Sequence, residues 1–372
     1  MEKTILHVSK YYYPDLGGIE TLVRSLAEGL SAYRNIVVCF ATDGKTSRET
    51  INGVIVHRVK VNFSFMHQDV CFGYSKQLKS LIHEFSPDFV HVHCPNPYVY
   101  PLVLRAIKPE TKLILHWHSD IISKGLMYKV VKPFESKALK RSDLILATSP
   151  NYIHPSSPIY QYKEKIRIVQ NGVIAEDFEL KKGDEERIKS IKQHYDNKPI
   201  VIFVGRHIQY KGIDLLIETE KYIQQDCHII ITGTGPLTSQ LEKRSTSSRI
   251  TFTGRLSSDD LRCYVHAADI FAFPSNTKAE AFGIALAEAM YCRCVPVVFH
   301  LEGSGVNWVS LKDQTGMEIP HGDTKAFAAA IDQLLTDKAL LDKYAKASHD
   351  RVKENFTDKM AVRKMNEIYS VL

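Results

Sequence analysis

Short apolar runs alternate with helical stretches twice over along this chain. One series comprises residues 3–9 (KTILHVS), 35–41 (NIVVCFA), 88–93 (DFVHVH) and 112–119 (KLILHWHS). The other comprises 199–206 (PIVIFVGR), 227–235 (CHIIITGTG), 249–254 (RITFTG) and 270–275 (IFAFPS). Runs this short and this continuously apolar fit strands buried on both faces, with the helical stretches as their cover. They predict an α/β fold with parallel sheets. At 372 residues the chain is longer than one hydrophobic core usually serves. Two Rossmann-like domains are therefore expected, 1–178 and 179–355. The charged stretch 180–199 reads as the join. Residues 356–372 read as a last helix with an apolar stripe of Met360, Val362, Met365, Ile368 and Tyr369.

Composition narrows the function. No apolar run reaches the ~20 residues of a membrane span, and MEKTILHVSK lacks the long apolar region of a signal peptide. A cytoplasmic location is expected. The seven cysteines (39, 71, 94, 227, 263, 292 and 294) are scattered, which suits reduced thiols. Cys292 and Cys294 form an isolated CxC without the second pair a zinc site wants. The net charge of +6 is uneven: residues 1–175 hold 22 Lys+Arg against 14 Asp+Glu, and the remainder 26 against 28. An anionic partner is expected on the first half. No nucleic-acid recognition motif or aromatic platform accompanies that charge, so nucleic acid is not expected.

Open parallel sheets bind ligands beyond the carboxyl ends of their strands, near helix N-termini. Gly205-Arg206 and Lys211-Gly212 follow a strand and precede a helix. Two cations beside helix N–H groups suit a diphosphate; a solvated loop is the plainer alternative. The phosphate loop GxxxxGK[ST] is absent. The segment AEAFGIALAEAM, residues 279–290, carries two glutamates bracketing seven uncharged residues. Glu280 precedes a helix expected to start near Phe282 and Gly283, and Glu288 lies about two turns inside it. Carboxylates accept hydrogen bonds from hydroxyls, and the N–H groups at 282–284 have no partner within the helix. The combination fits a sugar joined to a nucleoside through a diphosphate. A capping glutamate plus a surface one is the alternative.

The E-x7-E segment, with FGI inside it, resembles the signature of the retaining GT-B glycosyltransferases, specifically glycosyltransferase family 4. Gly17-Gly18-Ile19-Glu20 resembles that family's glycine loop, and His118 in LHWHSD its HxD histidine. Asn171-Gly172-Val173 followed by Phe178 is similar to its NGVDxxF stretch. GTGP at 233–236 and Ala268-Asp269…Pro274-Ser275 also match. The resemblance covers nearly the whole chain, in order.

That resemblance implies two Rossmann-like domains facing an interdomain cleft, with the C-terminal helix crossing back to the first. It implies an acceptor-binding first domain and a second domain that binds a nucleotide-sugar donor. Glu280 would hold donor-sugar hydroxyls, and Glu288 the ribose. Arg206 and Lys211 would neutralise the diphosphate leaving group. Gly17 and Gly18 would let backbone close on that group, and the Phe282, Gly283 and Ile284 backbone would touch sugar and phosphate. Gly235 and Leu256 complete the donor contacts. His118 would join Arg206, Lys211 and Glu280 as catalytic residues, with His93 and Asp120 on the acceptor side. No Asp-x-Asp motif is convincing, so neither metal nor cofactor is expected. Arg293 stands where the family often has glycine, a change expected to alter a helix end. His91, His93 and His116 lie in strand-end positions similar to that of His118, which leaves a structural role as its alternative.

Residues 124–141 carry Lys124, Lys129, Lys132, Lys137, Lys140 and Arg141 among Leu126, Met127, Val130, Val131 and Phe134. Such a stretch can lie on an anionic membrane; a solvated helix face is the alternative. EGSGVNW at 302–308 resembles family members that build bacterial surface polysaccharides, many from GDP-mannose. The expected reaction is retaining hexosyl transfer from GDP-mannose or a UDP-sugar to a saccharide or lipid-linked acceptor, in polysaccharide or lipopolysaccharide biosynthesis. It would take place in the cytoplasm, with peripheral contact at the cytoplasmic face of the membrane. A nucleotide-sugar epimerase or phosphorylase of the same fold, or a non-catalytic nucleotide-sugar binder, are the alternatives.

Overall fold

The computed structural model describes the chain except Met1, Leu16, residues 66–67 and 122–125, and the side chains of Leu126 and Met127. Two compact units divide it: Met1–Asn171 with Asp358–Leu372, and Gly172–Thr357.

The first unit is built on strands β1 (Thr4–Val8), β2 (Arg34–Ala41), β3 (Ser47–Ile51), β4 (Val54–Lys60), β7 (Phe89–Cys94), β8 (Lys112–Trp117), β9 (Leu144–Ala147) and β10 (Ile166–Ile168), with a separate hairpin of β5 (Phe63–Phe65) and β6 (Gln68–Val70). Its helices are α1 (Gly18–Gly29), α2 (Tyr74–Phe85), α3 (Tyr100–Ala106) and α4 (Leu126–Arg141). The sheet order is β10-β9-β8-β7-β1-β2-β4-β3. All pairs are parallel except β3 with β4. Every residue of β1 and β7 is buried, as strands covered on both faces require.

The second unit has β11 (Ile200–Val204), β12 (His228–Thr232), β13 (Ile250–Gly254), β14 (Ile270–Phe273), β15 (Val295–Phe299) and β16 (Met317–Ile319), all parallel, in the order β13-β12-β11-β14-β15-β16. Around them lie α5 (Ala175–Phe178), α6 (Asp184–His194), α7 (Ile213–Glu220), α8 (Thr238–Arg244), α9 (Ser258–Ala267), α10 (Ile284–Tyr291), α11 (Val306–Val309), α12 (Thr324–Thr336) and α13 (Lys338–Asn355). Numbered within the unit, the order is 3-2-1-4-5-6, the doubly wound Rossmann arrangement. It switches direction between β11 and β14.

The last helix, α14 (Asp358–Val371), belongs to the first unit. Ala361, Met365 and Tyr369 bury against Leu22, Leu26 and Phe89, with Val362 and Ile368 packed beside them. Gly29 permits the approach: a Cβ there would come within 2.6 Å of Val362 Cγ2.

The sequence boundaries need correction. Residues 172–178 lie with the second unit. Val173 N–H donates to Phe356 O at 2.8 Å, and Phe178 is buried in that unit's core, which accounts for the NGV…F stretch. Residues 180–199, read as the join, instead contain α6. Asp184 at its start forms a buried two-pronged pair with Arg262 of α9, at 2.7 and 3.2 Å. Most of the other charges that suggested a linker lie on the solvated face of a packed helix.

Candidate active site

The loops after β11 and β14 meet at the switch point because Gly212 lacks a side chain. It sits at φ 64°, and a Cβ would lie 2.1 Å from Pro274 O, an approach open to glycine alone. Asn276 N–H donates to Tyr210 O at 2.9 Å and ties the loops together. Lys211 and Glu280 are thereby joined as an ion pair through Nζ and Oε2, with side chains only 12 and 11% exposed. Ser275 Oγ donates to the same oxygen of Glu280 at 3.2 Å. Ser304 Oγ donates to the Glu280 carbonyl, and Gly305 N–H to Ala281 O at 3.0 Å. Lys211 Nζ also lies 5.2 Å from the Phe273 ring centre and 5.5 Å from that of Tyr210. Burial pushes the Lys211 ammonium toward neutrality, but Glu280 and the Tyr210 oxygen outweigh it and hold its pKa above the ordinary 10.5. Arg206, next along the β11 loop, is exposed and adds a second positive charge that the Lys211 ammonium feels.

Helix α10 starts beside this pair. Gly283 caps it at φ 83°, against the Phe273 ring. Phe282 is buried, with Trp308 and Phe356 rings 6.3 and 5.6 Å away, so its side chain belongs to the core. Ile284 opens the first turn, whose N–H groups lie at the positive end of the helix dipole. Glu288 is half-buried in the helix. Desolvation first, and then Asp177 of α5, push its carboxyl up to about 7, with Lys211 opposing.

Gly235 serves the same loop indirectly. A Cβ there would come within 2.5 Å of His207 O, so its bareness lets the β12 loop pack against the β11 loop. Leu256 follows β13, half-buried and two strands from β11.

In the first unit the predicted residues fall after β1, at the end of β7 and after β8. Gly17 is extended, with φ 176°, and what a Cβ would meet is the Glu20 carboxylate; Gly18 begins α1. Asp120 is buried, accepting from Trp117 Nε1 and Ser157 Oγ at 2.9 Å each, while its N–H donates to Tyr152 Oη. That carboxylate holds a loop together. His93 Nδ1 and His118 Nε2 are 3.1 Å apart, within a buried group that also takes in His7, His91 and His116. Burial lowers all five imidazole pKa values, His7 to about 4 and His116 to about 3. Two triads, His7-His91-His93 and His93-His116-His118, bring ring nitrogens within 4.8 Å of one another.

Sequence reasoning gave no site role to Ser275, Ser304, Tyr210 and Asp177. It also missed His7, although β1 runs beside β7.

Two family profiles divide the chain. Glycosyltransferase Family 4 matches residues 16–177, and Glycosyl transferases group 1 matches 184–351. The O-antigen chain mannosyltransferase C of Escherichia coli is 28% identical over 379 residues, covering 99% of this chain and 98% of its own. The D-rhamnosyltransferase WbpZ of Pseudomonas aeruginosa is 27% identical over 360 residues, covering 95 and 92%. The chain belongs to glycosyltransferase family 4. It is a hexosyltransferase of the GT-B fold.

Solved structures agree on the fold of this glycosyltransferase. Sucrose-phosphate synthase from Thermosynechococcus elongatus matches with a TM-score of 0.80 at 18% identity, covering 99% of this chain and 98% of its own. The Anabaena HepE protein in complex with UDP and glucose matches at 0.78 and 17%, covering 100% of both. On the glycosyltransferase's α4, Lys129, Val130, Lys132, Lys137 and Lys140 are exposed, whereas Ala138 and Leu139 are buried. Lys124 lies outside the described residues. Arg141 turns inward, donating to the carbonyls of Lys108, Pro109 and Thr111. Among the described residues no helix is long and apolar enough to cross a membrane. Arg293 sits at φ 69° just after α10, a left-handed position that explains why glycine suits it.

Proposed function

We propose that the second unit binds a nucleotide-diphosphate sugar and transfers its hexose, with retention, to a saccharide or lipid-linked acceptor during cell-surface polysaccharide assembly. The observation that carries this reading is the Lys211–Glu280 pair at the β11–β14 switch point, beside the first turn of α10. An ammonium and helix N–H groups suit a diphosphate, and a carboxylate suits sugar hydroxyls. Glu288, which accepts no hydrogen bond from other described residues, is the ribose ligand.

In the reaction the bond from the anomeric carbon to the diphosphate breaks, and a bond from the acceptor oxygen forms on the same face. The acceptor proton passes to a diphosphate oxygen. Negative charge grows on the leaving group as the bond breaks, so Lys211, Arg206 and the α10 dipole bind the transition state more tightly than the ground state. We assign that neutralising role to these groups rather than to a metal, a reading under which turnover persists in EDTA. Within the first unit, Gly17 and Gly18 suit close backbone approach to a ligand, His118 meets a substrate, and His93 supports it. The basic face of α4 suits an anionic membrane carrying a lipid-linked acceptor.

The donor reading rests on the two bacterial relatives. One is named a mannosyltransferase and the other a D-rhamnosyltransferase, and D-rhamnose is 6-deoxymannose. GDP-mannose is therefore the first donor to try. Melting temperature measured against a panel of GDP- and UDP-sugars tests it, because only ligands of the folded state stabilise it. GDP-mannose should give the largest rise. Absence of a rise with every nucleotide sugar would overturn the donor assignment.

A further inference from the structure

Two hydrogen-bond chains run across the sheet of the first unit, one through β1, β7 and the end of β8 and the other through β7 and β8, and each runs in one direction. The first starts at Asn35, whose Nδ2 donates to Leu30 O and Tyr33 O, both at 2.9 Å. Its amide orientation is thereby fixed, and Oδ1 faces His7 Nε2 at 3.3 Å as an acceptor. His7 must carry its proton on Nε2, which leaves Nδ1 bare. His93 Nε2, 3.3 Å from that nitrogen, must then donate, and His93 Nδ1 is bare in turn. His118 Nε2 donates to it at 3.1 Å. The chain ends at His118 Nδ1, a buried nitrogen with no hydrogen-bond partner among the described residues.

The second chain has the same logic and a closed end. Val169 O accepts from His116 Nε2 at 3.3 Å, His116 Nδ1 accepts from His91 Nε2 at 3.3 Å, and His91 Nδ1 accepts from Tyr369 Oη at 2.7 Å. Every ring nitrogen there is satisfied, so this chain fastens α14 to the sheet. Only the first leaves a lone pair over. A buried acceptor without a donor is costly unless a ligand supplies one. His118 follows β8 at the carboxyl end of the sheet, where ligands of such folds bind.

We propose that Asn35, His7 and His93 form a one-way relay that locks His118 in its Nε2–H tautomer and presents bare Nδ1 as the acceptor for a substrate hydroxyl. This rests on the glycosyl-transfer reading above, and Asn35, His7 and His93 are positioning residues in it. Loss of charge by burial supports the relay, since neutral rings alone can pass a direction along.

Long-range ¹H–¹⁵N correlation on the ¹⁵N-histidine-labelled full chain reads each ring's tautomer at neutral pH without a ligand. His7, His93 and His118 should all be neutral Nε2–H forms. His7→Phe removes the acceptor for His93, so His118 should show a mixture of tautomers. GDP-mannose turnover should then fall roughly tenfold to a hundredfold. His7→Gln, which restores an acceptor oxygen, should recover both the tautomer and most of the turnover. A weaker GDP-mannose Kd in His7→Phe would place the hydroxyl on the donor; unchanged Kd with slower turnover would place it on the acceptor. An Nδ1–H or charged His118 in the wild type overturns the relay even if His7→Phe does not fold. So does an unchanged His118 tautomer in folded His7→Phe, or stoichiometric zinc bound by the wild type and lost in His93→Gln. If the wild type turns over neither GDP-mannose nor UDP-glucose, the transfer reading fails, while the ring tautomers still decide the relay.

Discussion

Lys211 and His93 both stand near the carboxyl end of a central strand, in different units, and burial pushes both toward neutrality. His93 yields and Lys211 does not. The difference is the company each keeps: Glu280 is paired with Lys211, whereas His93 is surrounded by other imidazoles. A buried charge survives where a counter-charge is built in. The second unit thus keeps a charge suited to an anionic ligand. The first offers neutral, directional hydrogen bonding suited to hydroxyls.

The largest consequence is a split response to acid. The five imidazoles sit below their ordinary 6.5 in the native state, so between about pH 6.5 and 4 the unfolded chain binds more protons. Their stabilisation is complete above pH 6.5 and is lost as pH falls. The two tryptophans report separately, Trp117 from the first unit and Trp308 from the second. In Trp308→Phe the Trp117 melting transition should drop steeply across that range. In Trp117→Phe the Trp308 transition should move far less. Parallel shifts would break the contrast.

Next in size is the loss of the built-in charge. Lys211→Ala should cut turnover by roughly 10²- to 10³-fold, with a smaller change in donor Kd by calorimetry, and wild-type turnover should survive EDTA. Turnover equal to wild type removes Lys211 from the site.

Glu288 sharpens the contrast because its sign is opposite to that of the histidines. Its carboxyl, raised to about 7 from an ordinary 4.5, favours folding below pH 4.5, and that contribution fades as pH rises to about 7. The Trp308 transition, wild type minus Glu288→Gln, should therefore decline over that interval and level off above it. Donor KM should rise by roughly one decade with little change in kcat, as expected for a contact made equally in ground and transition states.

Much of this was legible in the sequence, and the gaps have physical causes. Glu280, Glu288, Lys211 and Gly212 could be placed because strand-loop-helix order assigns them to strand ends and a helix start. Their partnership could not. Lys211 and Glu280 meet because β14 lies beside β11, skipping β12 and β13, and sequence order does not state the sheet order. The i, i+2 spacing of His91 with His93 and of His116 with His118 puts each pair on one face of its strand, yet His7 needed the β1–β7 pairing to join them. Gly235, expected as a ligand contact, packs closely on the His207 backbone, and close backbone approach gives the same glycine signature in both cases. Residues 180–199 misled because a charged surface helix and a charged linker share a composition.

A smaller effect checks that the two tryptophan signals are independent. Arg293→Gly relieves a left-handed residue at the end of α10 and should stabilise the second unit by roughly 0.5–1 kcal/mol. The Trp308 transition should rise, and the Trp117 transition should stay in place.

Glycosyl transfer at the β11–β14 switch point is tested most directly by GDP release from GDP-mannose, measured alongside donor-binding calorimetry on the wild type and Glu280→Gln. The wild type should release GDP in step with sugar transfer. Glu280→Gln should bind GDP-mannose within about threefold of wild type while losing roughly two decades of turnover, because its charge faces the sugar as positive charge develops there. Equal turnover in the two proteins, with Glu280→Gln differing only in melting temperature, would make Glu280 a structural partner of Lys211 and contradict the assignment.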